Sequence, residues 1–130
     1  MMSSETRPRP AILFLEDEPQ LTRVMCLNLE SEFEMETATN ADEALMLLGT
    51  RQFDALLCDH MLPGRMQGLE FLVEAMKRQP RAKRILLTGY MNPDLLSRGV
   101  PLAELSALLL KPATVQQIRK ALHDALGLSV

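Results

Sequence analysis

The chain has 130 residues, enough for one compact domain with its own core and too few for two. Its 47% hydrophobic and 24% charged residues are those of a globular domain, and with 4% aromatics and no Trp the expected core is aliphatic and Met-rich. A formal charge of −3 excludes nucleic-acid binding driven by bulk charge, and no run approaches the ~20 apolar residues of a membrane span.

Residues 1–10, with Ser3, Ser4, Pro8 and Pro10, read as a loosely attached tail, and residues 11–128 as the folded unit. No signal-like apolar segment precedes the acidic run Glu16, Asp17 and Glu18. Cys26 and Cys58 lie in apolar segments without metal-ligand spacing and read as buried, reduced thiols, so the expected compartment is the cytoplasm.

Ala11–Leu15 is a continuous apolar run of strand length, and residues 55–58, residues 85–87 and Ala107–Leu110 repeat it. Strands apolar on both faces predict a parallel sheet covered on both sides. Residues 35–38 alternate more and read as an edge strand. Between these runs the spacing is helical. Leu21, Val24, Met25 and Asn28 share one face; Ala41, Ala44, Leu45 and Leu48 share another, opened by Asn40 with Glu43; Leu69, Leu72, Val73 and Met76 form a third. Met25, Met46 and Met76 fit core spacing. Asn92 and Pro93 open a fourth helix expected to run to about Arg98, ended by Gly99 and Pro101. Thr114 with Gln117 opens the last helix, with Ile118, Leu122 and Ala125 inward and Gly127 closing it. Arg78, Arg81, Lys83 and Arg84 form the densest positive patch and read as a solvated helix end and loop; His123 reads as a surface residue. Strand and helix alternate five times, which predicts a doubly wound α/β sandwich with right-handed crossovers.

Polar residues cluster just past the strand ends: Glu16 and Asp17 after the first, Asp59 after the third, Thr88 ending the fourth, Lys111 after the fifth. In a parallel sheet these ends share one edge, where open α/β folds bind ligands. Three carboxylates against one lysine are costly in a partly desolvated site, and a hard divalent cation such as Mg²⁺ relieves the repulsion. Such an ion also neutralises charge on a transferring phosphoryl group. Lys111 and the Thr88 hydroxyl can hold phosphate oxygens, and a carboxylate can act as nucleophile toward phosphorus.

The segment Ile12-Leu13-Phe14-Leu15-Glu16-Asp17-Glu18-Pro19 resembles the first strand and acidic pair of response-regulator receiver domains. Asp59-His60-Met61-Leu62-Pro63 followed by Gly68-Leu69-Glu70, then Leu86-Leu87-Thr88-Gly89, then Lys111-Pro112 resemble that family's remaining motifs, in order, across residues 11–127. The resemblance implies a flavodoxin-like fold with five parallel strands in order 2-1-3-4-5 and five helices. It implies Asp59 as phosphoacceptor, and Asp17, Glu16, Asp59 and the Met61 carbonyl as ligands of Mg²⁺ (or Mn²⁺). Thr88 and Lys111 would bind the phosphoryl group, and the Lys111-Pro112 peptide would be cis. It further implies a histidine kinase or phosphotransfer protein as donor, a protein docking surface as output, no reaction beyond the domain's own phosphorylation and dephosphorylation, and no direct contact with nucleic acid or membrane. Some relatives dimerise through the fourth and fifth elements, so a homodimer is compatible with the resemblance.

Four departures stand out. The acidic pair is Glu-Asp rather than Asp-Asp. The loop from Asp59 to Gly68 is one residue longer than the frequent form. Leu108 stands where many members have an aromatic that swings inward on activation, and Ala113 stands where Phe is frequent. The last two favour a second reading, a docking module independent of phosphorylation. A phosphatase is a third, weakened by Glu16-Asp17-Glu18 in place of Asp-x-Asp and by the lack of a cap domain. His60 is either a plain loop residue or one that touches the donor, and Tyr90 occupies a pocket-rim position.

Overall fold

A computed structural model describes residues 8–89 and 93–128. Five strands, β1 (Ala11–Leu15), β2 (Glu34–Ala38), β3 (Ala55–Asp59), β4 (Lys83–Thr88) and β5 (Ala107–Leu110), form one parallel sheet in the order β2-β1-β3-β4-β5. The helices are α1 (Pro19–Leu29), α2 (Ala41–Leu48), α3 (Gly68–Arg78), α4 (Val100–Ala103) and α5 (Val115–Leu126). The expected flavodoxin-like architecture is therefore present, strand order included.

The sheet separates two apolar layers because strand side chains alternate in direction. Leu13, Leu15, Leu56, Cys58 and Leu86 face Ala44 and Leu48 of α2 and Phe71, Leu72 and Ala75 of α3. Ile12, Phe14, Leu57, Ile85 and Leu87 face Met25 and Leu29 of α1 and Ile118, Ala121 and Leu122 of α5. The three central strands are buried on both sides, as their continuous apolar runs require, whereas β2 and β5 lie at the edges and are partly open.

Local chemistry sets the helix ends. Asn40 accepts from Glu43 N at 2.8 Å, while the Glu43 carboxylate reaches past Asn40 to Thr39 N at 2.7 Å. Thr114 and Gln117 form a full capping box, and α5 closes on Gly127 at φ 67°. Glu18 is the N-cap residue of α1, with Pro19 following it, so the acidic run precedes the helix rather than forming its first turn.

Several expectations are corrected. Val24 and Met46 are exposed, at 47% and 75%, and Leu29 rather than Val24 completes the inner face of α1. An apolar side chain on a short helix is buried only if its phase meets the sheet. Cys26 is half-buried, unlike Cys58. The fourth helical segment does not stop at Gly99: a π-helical turn (Leu95–Gly99) runs directly into α4, which contains Pro101 and ends at Ala103. Pro101 has no N–H and its ring crowds the preceding turn, and a widened π turn accommodates that without breaking the helical path. Asn92, the expected cap, lies outside the described residues. Arg84 is buried rather than solvated, its guanidinium spent on backbone carbonyls of Ala103 (2.8 Å), Ala82 (2.6 Å) and Glu104 (3.4 Å). His123 is not a bare surface residue: Nε2 lies 2.6 Å from Glu32 Oε2, and the ring meets Phe33 edge-on.

Candidate functional site

The registers Leu15↔Cys58, Asp59↔Leu87 and Thr88↔Leu110 align the C-terminal ends of β1, β3, β4 and β5. The residues at or just past those ends therefore meet. Ligand atoms of Glu16, Asp17 and Asp59 all lie within 4.8 Å of one another. Glu16 and Asp59 are buried and Asp17 is exposed at the rim. Lys111 Nζ reaches across to Glu16 Oε1 at 3.2 Å and Asp59 Oδ2 at 3.3 Å. Thr88 is buried at the end of β4, where its carbonyl accepts from Lys111 N at 2.8 Å. The Lys111-Pro112 peptide is cis, as expected.

The electrostatics follow from crowding. Burial raises the Glu16 carboxyl above its ordinary value, Asp59 adds to the rise, and Lys111 opposes it. Burial alone would lower the Lys111 ammonium, but the charges of Asp59 and Glu16 outweigh it and hold the group above its ordinary value. One ammonium thus faces two buried carboxylates while a third waits at the rim, so the cluster retains net negative charge. All three donors are hard oxygens, the set that suits Mg²⁺, Mn²⁺ or Ca²⁺ rather than a thiol-seeking metal. Cys58, on the same strand, is fully buried; burial pushes its thiol well above the ordinary range, and it is not a competing ligand or nucleophile.

The loop after Asp59 is tightly tied. His60 N donates to Leu87 O (2.8 Å), and Gly68 N to His60 O (2.9 Å). Gly68 brings α3 so close that a Cβ there would sit 2.0 Å from the Asp59 carbonyl oxygen. Gln67 bonds Leu62 on both its N–H and its carbonyl, each at 3.0 Å. The roles of Gln67 and Arg84 were not legible in the sequence, where both look like solvated polar residues. Met61, expected to contribute only its carbonyl, has an exposed side chain. The His60 ring is half-buried, with Nδ1 unpartnered among the described residues. Tyr90 lies outside them. Leu108 packs against the α2–α3 layer, and Ala113 lines a cleft of about 520 Å³ with Phe14, Leu21, Met25, Leu87 and Lys111.

Comparison with known proteins agrees with this geometry. The model of the response regulator receiver domain matches residues 12–123. The hydrogenase transcriptional regulatory protein HoxA of Cupriavidus necator is 35% identical over 78% of the chain, and the phosphate regulon transcriptional regulatory protein PhoB of Rhizobium meliloti is 39% identical over 70%. The chain spans only 21% and 41% of those two relatives. A CheY-like receiver domain from Methanospirillum hungatei superposes with a TM-score of 0.85 at 29% identity, covering 92% of this chain and 94% of that one. A Burkholderia pseudomallei response regulator, solved with a phosphorylated aspartic acid, calcium ion and citrate, gives 0.78 at 30% identity, covering 87% and 66%. No helix among the described residues is long and apolar enough to cross a membrane. With the strand-end carboxylates, the lysine, the sheet order and a family match over most of its length, the chain belongs to the response regulator receiver domain family, whose standard function is phosphorylation-based signalling in two-component systems.

Proposed function

We propose that Asp59 is the phosphoacceptor of this domain and that Glu16, Asp17, Asp59 and the Met61 carbonyl hold the divalent cation, Mg²⁺ or Mn²⁺, that the reaction needs. The observation that carries the proposal is the convergence of three carboxylates with Lys111 at one sheet edge. Every residue of β3 is buried, so Asp59, its last residue, is presented on a packed strand rather than on a loop. The bound cation supplies charge neutralisation for the transferring phosphoryl group.

The donor is a phosphohistidine of a kinase or phosphotransfer protein. An Asp59 carboxylate oxygen forms the new bond to phosphorus; the bond from phosphorus to the donor's imidazole nitrogen breaks, and that nitrogen keeps the electron pair. Lys111 then exchanges its contact with Asp59 for one with a phosphoryl oxygen, and Thr88 donates its hydroxyl to another. Asp17, at the rim, and buried Glu16 would help hold the cation, Asp17 directly and Glu16 directly or through water. That the Burkholderia relative was solved with a phosphorylated aspartic acid and a calcium ion supports an aspartyl phosphate and a divalent cation in this domain. The folded unit is residues 11–128, it works in the cytoplasm, and its output is a docking surface read by a second protein or a second copy.

Leu108 supports a second reading. It packs inward as a small aliphatic side chain, so no aromatic ring is available there to change rotamer, and the surface could serve docking without phosphorylation. Intact-mass analysis after incubation with acetyl phosphate separates the two. A single phosphoryl adduct that requires Mg²⁺ and is absent from Asp59→Asn supports the switch; no adduct with acetyl phosphate or with phosphorylated kinases leaves the docking module.

A further inference from the structure

Besides its backbone ties, the loop between Asp59 and α3 is bonded by a side chain that reaches back from the start of the helix. Gln67 precedes α3, and its carboxamide turns back into the loop instead of facing solvent. Its Oε1 accepts from Leu62 N at 3.0 Å, and its Nε2 donates to Leu62 O at 3.0 Å and lies 3.5 Å from Gly64 O. The Gln67 backbone is fixed in turn: its N–H donates to Glu70 Oε1 (3.1 Å), and its carbonyl accepts from Phe71 N (2.9 Å). Immediately after it, Gly68 is pressed against the Asp59 carbonyl. Gln67 therefore spans from the rigid start of α3 to the middle of the loop.

The Leu62 N–H belongs to the same peptide plane as the Met61 carbonyl. In a trans peptide the two point in opposite directions, so fixing one fixes the other. We propose that Gln67 is the positioning residue for the Met61 carbonyl as a cation ligand. By accepting from Leu62 N–H it orients the Met61–Leu62 peptide plane, and by polarising that peptide it makes the carbonyl a better donor. The three-carbon reach of the Gln67 side chain carries its carboxamide from the start of α3 back to Leu62. The inference rests on the proposal that the Met61 carbonyl ligates the cation.

Mn²⁺ binding, followed by the electron paramagnetic resonance signal of the free ion, tests it without any phosphoryl transfer. Wild type should bind one Mn²⁺ that Asp59→Asn weakens. Gln67→Leu, which removes both bonds, should weaken binding about tenfold, the usual scale for a residue that orients a metal ligand. Gln67→Glu should lose less than Gln67→Leu, because a carboxylate still accepts from Leu62 N–H although it no longer donates to Leu62 O. In the wild-type domain the Leu62 amide should exchange slowly with solvent and shift on Mg²⁺ addition. Wild-type affinity in a folded Gln67→Leu chain, equal losses in the Leu and Glu variants, or a freely exchanging Leu62 amide would each overturn the inference while leaving the metal site standing. Failure of wild type to bind Mn²⁺ would remove the site and the inference together.

Discussion

Lys111 holds its ammonium between Glu16 and Asp59, 3.2 and 3.3 Å from each, where it partly substitutes for a cation. Removing it as Lys111→Met should leave two buried carboxylates unscreened, and two effects of opposite sign follow. Mg²⁺ affinity should rise, because the ion no longer competes with a fixed positive charge, while acetyl-phosphate labelling should slow, because a phosphate partner is gone. Calorimetric Mg²⁺ titration beside intact-mass kinetics checks both, and a fall in affinity would contradict the account. Gly68 gives a second prediction. A Cβ 2.0 Å from the Asp59 carbonyl has nowhere to go without moving α3 or the phosphoacceptor strand. Gly68→Ala should cost about 1–3 kcal/mol in urea unfolding, the range for overpacking, and slow labelling as well; an unchanged midpoint and rate would show that the loop yields freely.

At the scale of elements, the fourth helical segment is the least regular, and Arg84 is what ties its end to the sheet. Arg84→Met should orphan the carbonyls of Ala103 and Ala82, costing about 2–3 kcal/mol by the worth of hydrogen bonds to a charged group. It should also speed amide exchange in α4 before the rest of the sheet; uniform exchange would contradict it. The joint between α1 and α5 depends on Glu32, whose carboxyl is held below its ordinary 4.5 by the hydrogen bond from His123, then by Arg119 2.7 Å away. A depressed carboxylate stabilises fully above its unfolded pKa and loses that contribution as pH falls through the lowered value. Glu32 is about a third exposed, so the contribution is no more than about 1 kcal/mol. Thermal melts of wild type and Glu32→Gln should differ near neutral pH and converge once the pH falls well below 4.5; a gap that widens in acid would contradict the sign. These element-scale features mark the limit of what the sequence discloses. Buried strands announce themselves as apolar runs, and Glu16, Asp17, Asp59, Thr88 and Lys111 are legible because each stands at the end of one. Arg84 inside a strand, and His123 reaching across to Glu32, depend on contacts 19 to 91 residues apart that no local pattern encodes. Pro101 misleads for a related reason: its rule concerns a regular α-helix, and the chain adopts a π turn instead.

For the whole molecule, one architecture accounts for the site. Five parallel strands aligned at one edge bring together carboxylates from positions 16, 17 and 59 and an amine from position 111, although up to 95 residues separate them. The two apolar layers pack against both faces of the sheet that carries that edge. The most direct measurement is the position of the phosphoryl group itself. After acetyl phosphate and Mg²⁺, reduction with borohydride converts an aspartyl phosphate to homoserine, which peptide mass mapping places in the chain. The account predicts that mark at position 59 alone, lost when Mg²⁺ is chelated beforehand; a mark on Asp17 or elsewhere, or one that forms equally well without a divalent cation, would contradict it.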